Sequence, residues 1–436
     1  MQTDDVKPLQ ITILTYGSRG DVEPFLALGE GLVSAGHRAT LAAPERYQSL
    51  NENPRLRYHG LPGDPGSLAD ALREQAGGNP LKIFQAMSRH VLPIAADVFH
   101  EIQKATQGAD IILHSFTMVD GGHSLARRAG AVDMSAQLFP VLQPTGQFPG
   151  MTFPDLPWGD LYRRLTHHIN TFVFRWGGRL MYRYLRWKHP QLPRLVEWPF
   201  SRRAPQPVPQ LFAFSEEVVP RPPEWPEHVI ITGYWSRKRG HRWKPSPALK
   251  KFLKENPEPV FIGLGSMVPD PEEQIVHLFL KALKRVNQPG LTSVAEPKHH
   301  SHLGNKDVFF TGPLPHDWIL PRSSAVVHHG GAGTTGAVIQ AGVPGVVLPV
   351  SADQFFWGRR VKKLGAGPEP IAFQKLTLDK LHTAFKEALE DPALKTRARR
   401  LGNQVQAEDG VGRAIEEIER FYKERRSEEA LARKHG

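Results

Sequence analysis

Short apolar runs alternate with amphipathic stretches along the chain, and small or turn-forming residues punctuate them. Residues 9–16 are largely apolar and predict a buried strand. Gly17-Ser18-Arg19-Gly20-Asp21 follows, then a helical pattern over 22–35 with Pro24 in its first turn, where a missing N–H is tolerated. Gly36-His37 stops that helix, and 38–43 predicts the next strand. Further strands are expected at 110–114, 132–138, 211–214 and 229–232, with helical patterns over 81–107 and 121–129 and a Pro/Gly-rich loop at 140–159. Alternation of this kind builds a parallel, doubly wound sheet.

The pattern then restarts. Residues 236–247 are polar, basic and end in prolines, as a linker does. A strand at 260–264 leads through Gly265-Ser266-Met267 to a helix at 271–286. Residues 309–316 lead into Asp317-Trp318-Ile319-Leu320 and then a second strand, Val326-Val327. After it, His328-His329 and Gly330, Gly331 and Gly333 turn the chain into a helix at 334–341 and a strand at 346–349. Helices at 355–364, 378–390, 392–405 and a charged one at 412–426 complete the pattern. The fold class expected is α/β: two Rossmann-like doubly wound parallel-sheet domains, 1–235 and 248–411, joined by a linker at 236–247. Residues 412–436 are expected as a helix and tail that can cross back to the first domain.

One helical stretch departs from the alternation. Leu161, Leu165, Ile169, Phe172, Trp176, Leu180 and Tyr184 recur every three or four residues and make one apolar face. Arg175, Arg179 and Arg183 form a row beside it, with Arg186 and Lys188 beyond. One reading packs this face on the domain and leaves the cations solvated. The other makes it an aromatic wall for an apolar acceptor, or a helix resting on an anionic membrane.

Composition narrows the partners. The 436 residues suit two or three domains. With no cysteine, disulfides, thiolate metal sites and cysteine nucleophiles are excluded. A net charge of +11 suits nucleic acid, an anionic membrane surface or a phosphate-bearing ligand, but no nucleic-acid motif is present and none is expected as partner. No apolar run reaches about 18 residues, and the acidic start Met1-Gln2-Thr3-Asp4-Asp5 is no secretory signal. A cytoplasmic protein is expected, peripheral to the membrane if residues 161–188 make that contact.

The turn after Val327 carries the main chemical signal. A helix entered through glycines exposes bare N–H groups at the positive end of its dipole, an anion site most often used for phosphate. The alternative is a tight turn with packing glycines, which leaves the two histidines and the downstream Asp353-Gln354 unexplained. The first Gly-rich turn lacks G-x-G-x-x-G spacing and a carboxylate placed for ribose, so it does not read as a dinucleotide site. Asp21 there is either a first-turn acid stabilised by the helix or a functional carboxylate. Sheets of this type bind ligands at their strand C-terminal ends, so the Asp21 loop and the His329 turn are expected to face one cleft between the domains.

Four separated motifs carry a family resemblance: T-Y-G-S-R-G-D-V-E-P at 15–24, V-I-I-T-G-Y-W at 229–235, G-L-G-S-M at 263–267, and the stretch from Val326 to Gln354 continuing to Gly365-Ala366-Gly367-Pro368. Together they resemble a GT-B-fold, family 1 glycosyltransferase of the sterol glucosyltransferase and bacterial natural-product (vancomycin-pathway) type. The resemblance spans nearly the whole chain; residues 143–203, which in the family help shape the acceptor site, are not matched. It implies inverting, metal-independent transfer of a hexose, with no bound cofactor but a nucleoside-diphosphate sugar, UDP-glucose, as co-substrate. The acceptor it implies is a lipophilic small molecule such as a sterol, polyketide or flavonoid.

By the same resemblance Asp21 is the base that takes the acceptor proton, and His329, counted back from Gly342-Val343-Pro344, contacts the diphosphate with the amides of Gly331, Gly333 and Thr334. Ser266 approaches the diphosphate, Trp318 lies near base and ribose, and Asp353 and Gln354 bind the sugar hydroxyls. Ser18 and Arg19 join the donor set, with a surface or loop-supporting role as the alternative for Arg19. The family commonly has glycine where this chain has Ala352. Alternatives are a rhamnose-type deoxysugar transferase, a membrane-surface glycolipid glycosyltransferase, a sugar-nucleotide epimerase and a silent helper protein.

Overall fold

The computed structural model describes residues 7–65, 89, 92–200, 207–237, 243–263, 272–294, 297, 301–350 and 353–435. The chain divides into two compact units: Met1–Phe214 with Arg221–Trp235 and Asp409–Gly436, and Ser215–Pro220 with Ser236–Glu408.

In the first unit the elements run β1 (Gln10–Leu14), α1 (Arg19–Ser34), β2 (Arg38–Pro44), β3 (Arg57–Leu61), α2 (Leu92–Ala105), β4 (Ile111–His114), α3 (Val119–Ala129), β5 (Val132–Gln137), α4 (Gly159–Lys188), β6 (Gln210–Phe212) and β7 (Val229–Ile231). The strands form a seven-stranded sheet in the order β3-β2-β1-β4-β5-β6-β7, parallel throughout. Ile11, Ile13 and Leu14 of β1 are fully enclosed because helices cover both faces, as such a sheet requires. The chain order reverses between β1 and β4. The loop that leaves β1 at this switch point leads straight into α1, where the crevice of a doubly wound sheet lies.

The second unit repeats the plan with α5 (Pro247–Glu255), β8 (Val260–Gly263), α6 (Glu272–Arg285), β9 (Gly290–Ser293), β10 (Val308–Thr311), α7 (His316–Ile319), β11 (Ala325–His328), α8 (Ala332–Gln340), β12 (Gly345–Val347), α9 (Asp353–Lys363), α10 (Leu378–Glu390) and α11 (Pro392–Gln406). Its sheet is β10-β9-β8-β11-β12, again all parallel, and its switch point lies between β8 and β11. Val260, Ile262, Val327 and Val346 from the strands pack with Phe279, Leu283 and Phe385 from α6 and α10. The last helix, α12 (Gly410–His435), belongs to the first unit and lies on α1. A Cβ on Gly31 would sit 3.1 Å from Ile415 Cδ1, and His37 Nε2 meets Glu419 Oε1 at 3.0 Å.

Several expectations need correction. Strands β3 and β9 are not signalled by the pattern: Arg57-Tyr58-His59-Gly60-Leu61 is a half-buried edge strand, and β9 is only four residues long. Helix α1 begins three residues earlier than expected, so Asp21 lies in its first turn. Helix α2 is described from Leu92, with 81–88 and 90–91 of the longer expected helix outside the described residues. For α4 the structure rules out one of the two readings of the stripe. All seven residues of its apolar face are exposed, from Leu161 at 81% to Ile169 at 40%, so that face does not pack on the domain.

Candidate active site

Asp21 is built into place by the residues just before it. Ser18 is the N-cap of α1 in extended conformation, and the Asp21 N–H donates to its carbonyl at 2.9 Å. The Asp21 side chain folds back, and its Oδ2 accepts from the Ser18 N–H at 2.7 Å and the Ser18 hydroxyl at 2.9 Å. Thr15 Oγ1 fixes the Asp21 carbonyl at 3.0 Å. This geometry explains Gly17, which the motif contains but sequence reasoning did not single out: a Cβ there would come within 2.7 Å of Asp21 Cγ. Burial pushes the Asp21 carboxyl above its ordinary range and outweighs the two Ser18 bonds, which act in the opposite direction. The result is a positioned carboxylate of raised basicity at a switch point. Ser18 is exposed, but its hydroxyl is engaged by Asp21. Arg19 points to solvent in an i,i+4 pair with Glu23 at 2.7 Å, which favours its surface reading.

In the second unit β11 ends in two histidines with different surroundings. His328 is fully buried; its Nδ1 accepts from the Gly330 N–H at 3.2 Å and so shapes the turn. Burial, then the neighbouring His329 and His316, push its pKa down to about 3, so it is neutral. His329 is half-buried, and its buried Nδ1 has no partner among the described residues. Burial and the nearby His316 push it down to about 4, so it too is a neutral imidazole near pH 7.

The turn itself needs glycine. Gly330 has φ +89°, and a Cβ there would lie 3.0 Å from the Gln354 carbonyl oxygen. That close approach sets the Asp353-Gln354 segment against the His329 turn. Gly331 then caps α8 without a side-chain bond, and the first intrahelical bond runs from Thr335 N–H to the Gly331 carbonyl at 2.8 Å. The N–H groups of Ala332, Gly333 and Thr334 are therefore the unsatisfied first-turn donors of α8. Among the described residues nothing lies within 4 Å of a Cβ position on Gly333, beside those donors. Thr335, which sequence reasoning missed, has a buried Oγ1 with no partner among the described residues.

Asp353 opens α9, and Gln354 is buried with its Oε1 accepting from the Val350 N–H at 2.8 Å. Trp318 lies in the short α7, half-buried, edge-on to Trp243 with ring centroids 4.7 Å apart and the Arg322 guanidinium 4.8 Å from its ring centre. Trp243 lies in the stretch read as linker, and its supporting role had no signal in the sequence. Ser266 and Ala352 lie outside the described residues. Within the second unit, then, His329, Gly331, Gly333, Thr334 and Gln354 are one cluster, with Asp353 adjacent in the chain. Asp21 and Ser18 form the corresponding cluster of the first unit.

Known proteins share the architecture of this chain. Residues 11–107 match the glycosyltransferase family 28 N-terminal domain, and 295–418 match the erythromycin biosynthesis protein CIII-like C-terminal domain. The chain is similar in fold to a solved glycotransferase of kitacinnamycin, with a TM-score of 0.69, 20% identity and coverage of 95% of this chain and 99% of that one. It is also similar to a Streptomyces glycosyltransferase solved with thymidine diphosphate, with a TM-score of 0.59, 16% identity and coverage of 94% and 99%. Two Rossmann-like parallel sheets with these neighbours define the GT-B fold. In sequence, it is 32% identical to O-mycaminosyltylonolide 6-deoxyallosyltransferase of Streptomyces fradiae over 95% of this chain and 97% of that protein. It is 32% identical to a sterol 3-beta-glucosyltransferase of Candida albicans over 94% of this chain, which spans only 27% of that longer protein. The chain belongs to the family 1 glycosyltransferases of GT-B fold, enzymes that transfer a sugar from a nucleotide sugar.

Proposed function

We propose that this enzyme transfers glucose from UDP-glucose, with inversion at the anomeric carbon, to a hydroxyl of a lipophilic acceptor such as a sterol, polyketide or flavonoid. Asp21 takes the proton of the acceptor hydroxyl as its oxygen bonds to the sugar C1. The bond from C1 to the diphosphate breaks, and the departing oxygen gains negative charge. His329 and the first-turn amides of α8 stabilise that charge, a role that fixed dipoles fill without reorganisation and that makes a divalent cation dispensable. Asp353 and Gln354 hold the sugar hydroxyls, Trp318 lies by base and ribose, and Ser266 approaches the diphosphate.

One observation carries this reading most of all. A neutral His329, its buried Nδ1 without a partner among the described residues, stands beside a helix N-terminus with no side-chain cap, where no described residue lies within 4 Å of a Cβ position on Gly333. Such a cradle suits an anionic oxygen. For the sugar, the sterol 3-beta-glucosyltransferase relatives support glucose. A second reading, a deoxysugar delivered from a thymidine diphosphate donor, is favoured by the full-length relative named a 6-deoxyallosyltransferase.

Calorimetric titration separates them. UDP-glucose is expected to bind more tightly than TDP-rhamnose, and His329→Ala to weaken that binding and turnover together by about tenfold or more. Unchanged UDP-glucose affinity in His329→Ala removes the diphosphate assignment, and tighter binding of TDP-rhamnose selects the second reading. Turnover is expected to survive a metal chelator; its loss would overturn the cation-free mechanism.

A further inference from the structure

Helix α4 carries apolar residues on both sides. Inward, Leu185 is buried in the core and Phe174 stacks on Phe116 with ring centroids 3.9 Å apart, among polar contacts: Thr166 Oγ1 accepts from the Gly150 N–H at 2.8 Å, and His167 Nε2 bonds the Phe148 carbonyl at 2.9 Å. Farther along, Arg179 donates to the Val196 carbonyl at 2.8 Å and Arg186 to that of Leu192 at 3.1 Å. Its outward side is apolar as well. Leu161 is 81% exposed, Phe172 61%, Trp176 56% and Trp187 75%, with Leu165 and Leu180 between them. A soluble surface helix places polar and charged residues on that outward face. Scattered exposed apolar residues are ordinary, but a continuous stripe marks an interaction surface.

The stripe is long and convex. From Leu161 to Trp187 it runs roughly 39 Å at the helical rise. Small-molecule sites are concave and enclose most of their ligand, so no single acceptor molecule covers this face. No helix among the described residues is long and apolar enough to cross a membrane. Cations outnumber acids along the helix. Arg183 and Lys188 are exposed beside the stripe; at its start Arg164 pairs with Glu224 at 3.3 Å, and Asp160 is the one acid in the helix itself. Trp158 and Trp187 bracket the stripe at its two ends, 68% and 75% exposed, the residue type that settles at a headgroup boundary.

We propose that α4 is a membrane-surface anchor that lies in the plane of an anionic lipid bilayer, its Leu161–Trp187 stripe sunk to the acyl boundary and its cations among the headgroups. This goes beyond the reading of donor and acceptor, since the surface needs neither. Apolar area and attraction to anionic lipid act together in such anchors.

The test uses the full chain, without donor or acceptor, and vesicles of phosphatidylcholine alone or mixed with phosphatidylglycerol, at physiological salt. Co-sedimentation with the mixed vesicles is expected, with a blue shift of tryptophan emission, and much less with phosphatidylcholine alone. Joint replacement Phe172→Ser, Trp176→Ser and Leu180→Ser is expected to lower partition at least about tenfold. Arg183→Gln and Lys188→Gln are each expected to lower it about fivefold. Unaltered circular dichroism and UDP binding in the triple variant establish that it is folded. Equal partition of the wild type and the folded triple variant overturns the proposal. So does a wild-type protein that ignores vesicles but forms a dimer, seen by light scattering, which the triple variant loses; the stripe is then covered by a second copy. Specific capture of another protein with no vesicle binding assigns the face to a protein partner and likewise overturns it.

Discussion

Asp21, the proposed base, is held in its ionised form at a cost to the fold. Its carboxyl has a folded pKa above the ordinary value, so the native state holds a proton more readily than the unfolded chain. Stability from this group is therefore greatest at acid pH and declines as pH rises through that raised value. Asp21→Asn removes the penalty and keeps an oxygen to accept from Ser18. It is expected to lower turnover by about 10²–10⁴-fold while melting no lower than wild type at neutral pH. Calorimetric melting beside a turnover assay checks both, and a marked fall in melting temperature would mean the charge stabilises the fold. Turnover of the wild type is expected to rise with pH along an acid limb displaced upward from an ordinary aspartate. Gly17→Ala tests the positioning: it crowds the Asp21 carboxyl and is expected to reduce kcat with little effect on UDP binding. Asp21 and His329 were legible as candidates from type and spacing. Gly17 and Thr335 were not, because their significance is a close contact and an unpaired buried hydroxyl, neither of which has a sequence period.

At the scale of elements, the β11–turn–α8 unit depends on two neutral histidines and a left-handed glycine. His328 and His329 have folded pKa values of about 3 and 4, below the ordinary 6.5, so the unfolded chain takes up their protons first. Their contribution is fully present above about pH 6.5 and is lost as pH falls through the folded values. Guanidinium unfolding at neutral pH and near pH 5 is expected to show a lower midpoint in acid, with a shallower pH dependence in His329→Gln. An identical dependence would mean His329 is already protonated in the fold. In the first unit Asp133 adds a lower window. Burial opposes its charge, but hydrogen bonds from His114 at 3.0 Å and from His123 hold its carboxyl at about 2. Gly330→Ala is expected to destabilise by about 1–3 kcal/mol and weaken UDP-glucose binding, because the Cβ meets both a forbidden φ and the Gln354 backbone. The strand–turn–helix units were readable because apolar runs and glycine clusters mark them. The edge strand β3 was not, since its half-buried residues show no apolar run, and the α4 stripe admits two readings in the sequence because periodicity gives a face but not the side it points to.

At the scale of the whole molecule, two parallel sheets have matching switch points, with Asp21 at one and the His329 turn at the other. That much was visible in the alternation of strands and helices and in the four motifs. The acceptor was not visible, since no residue in 143–203 repeats a motif and its chemistry is carried by the shape of surfaces. The exposed stripe of α4 joins the account only at this scale, as a surface that neither sheet uses. The most direct test of the central claim is product mass spectrometry of reactions that pair UDP-glucose with a panel of hydrophobic hydroxyl compounds, run with wild type and Asp21→Asn. The account predicts a product carrying one added hexose from the wild type and none from Asp21→Asn, which still binds UDP. Free sugar released without any acceptor, or an equal yield from Asp21→Asn, would contradict it.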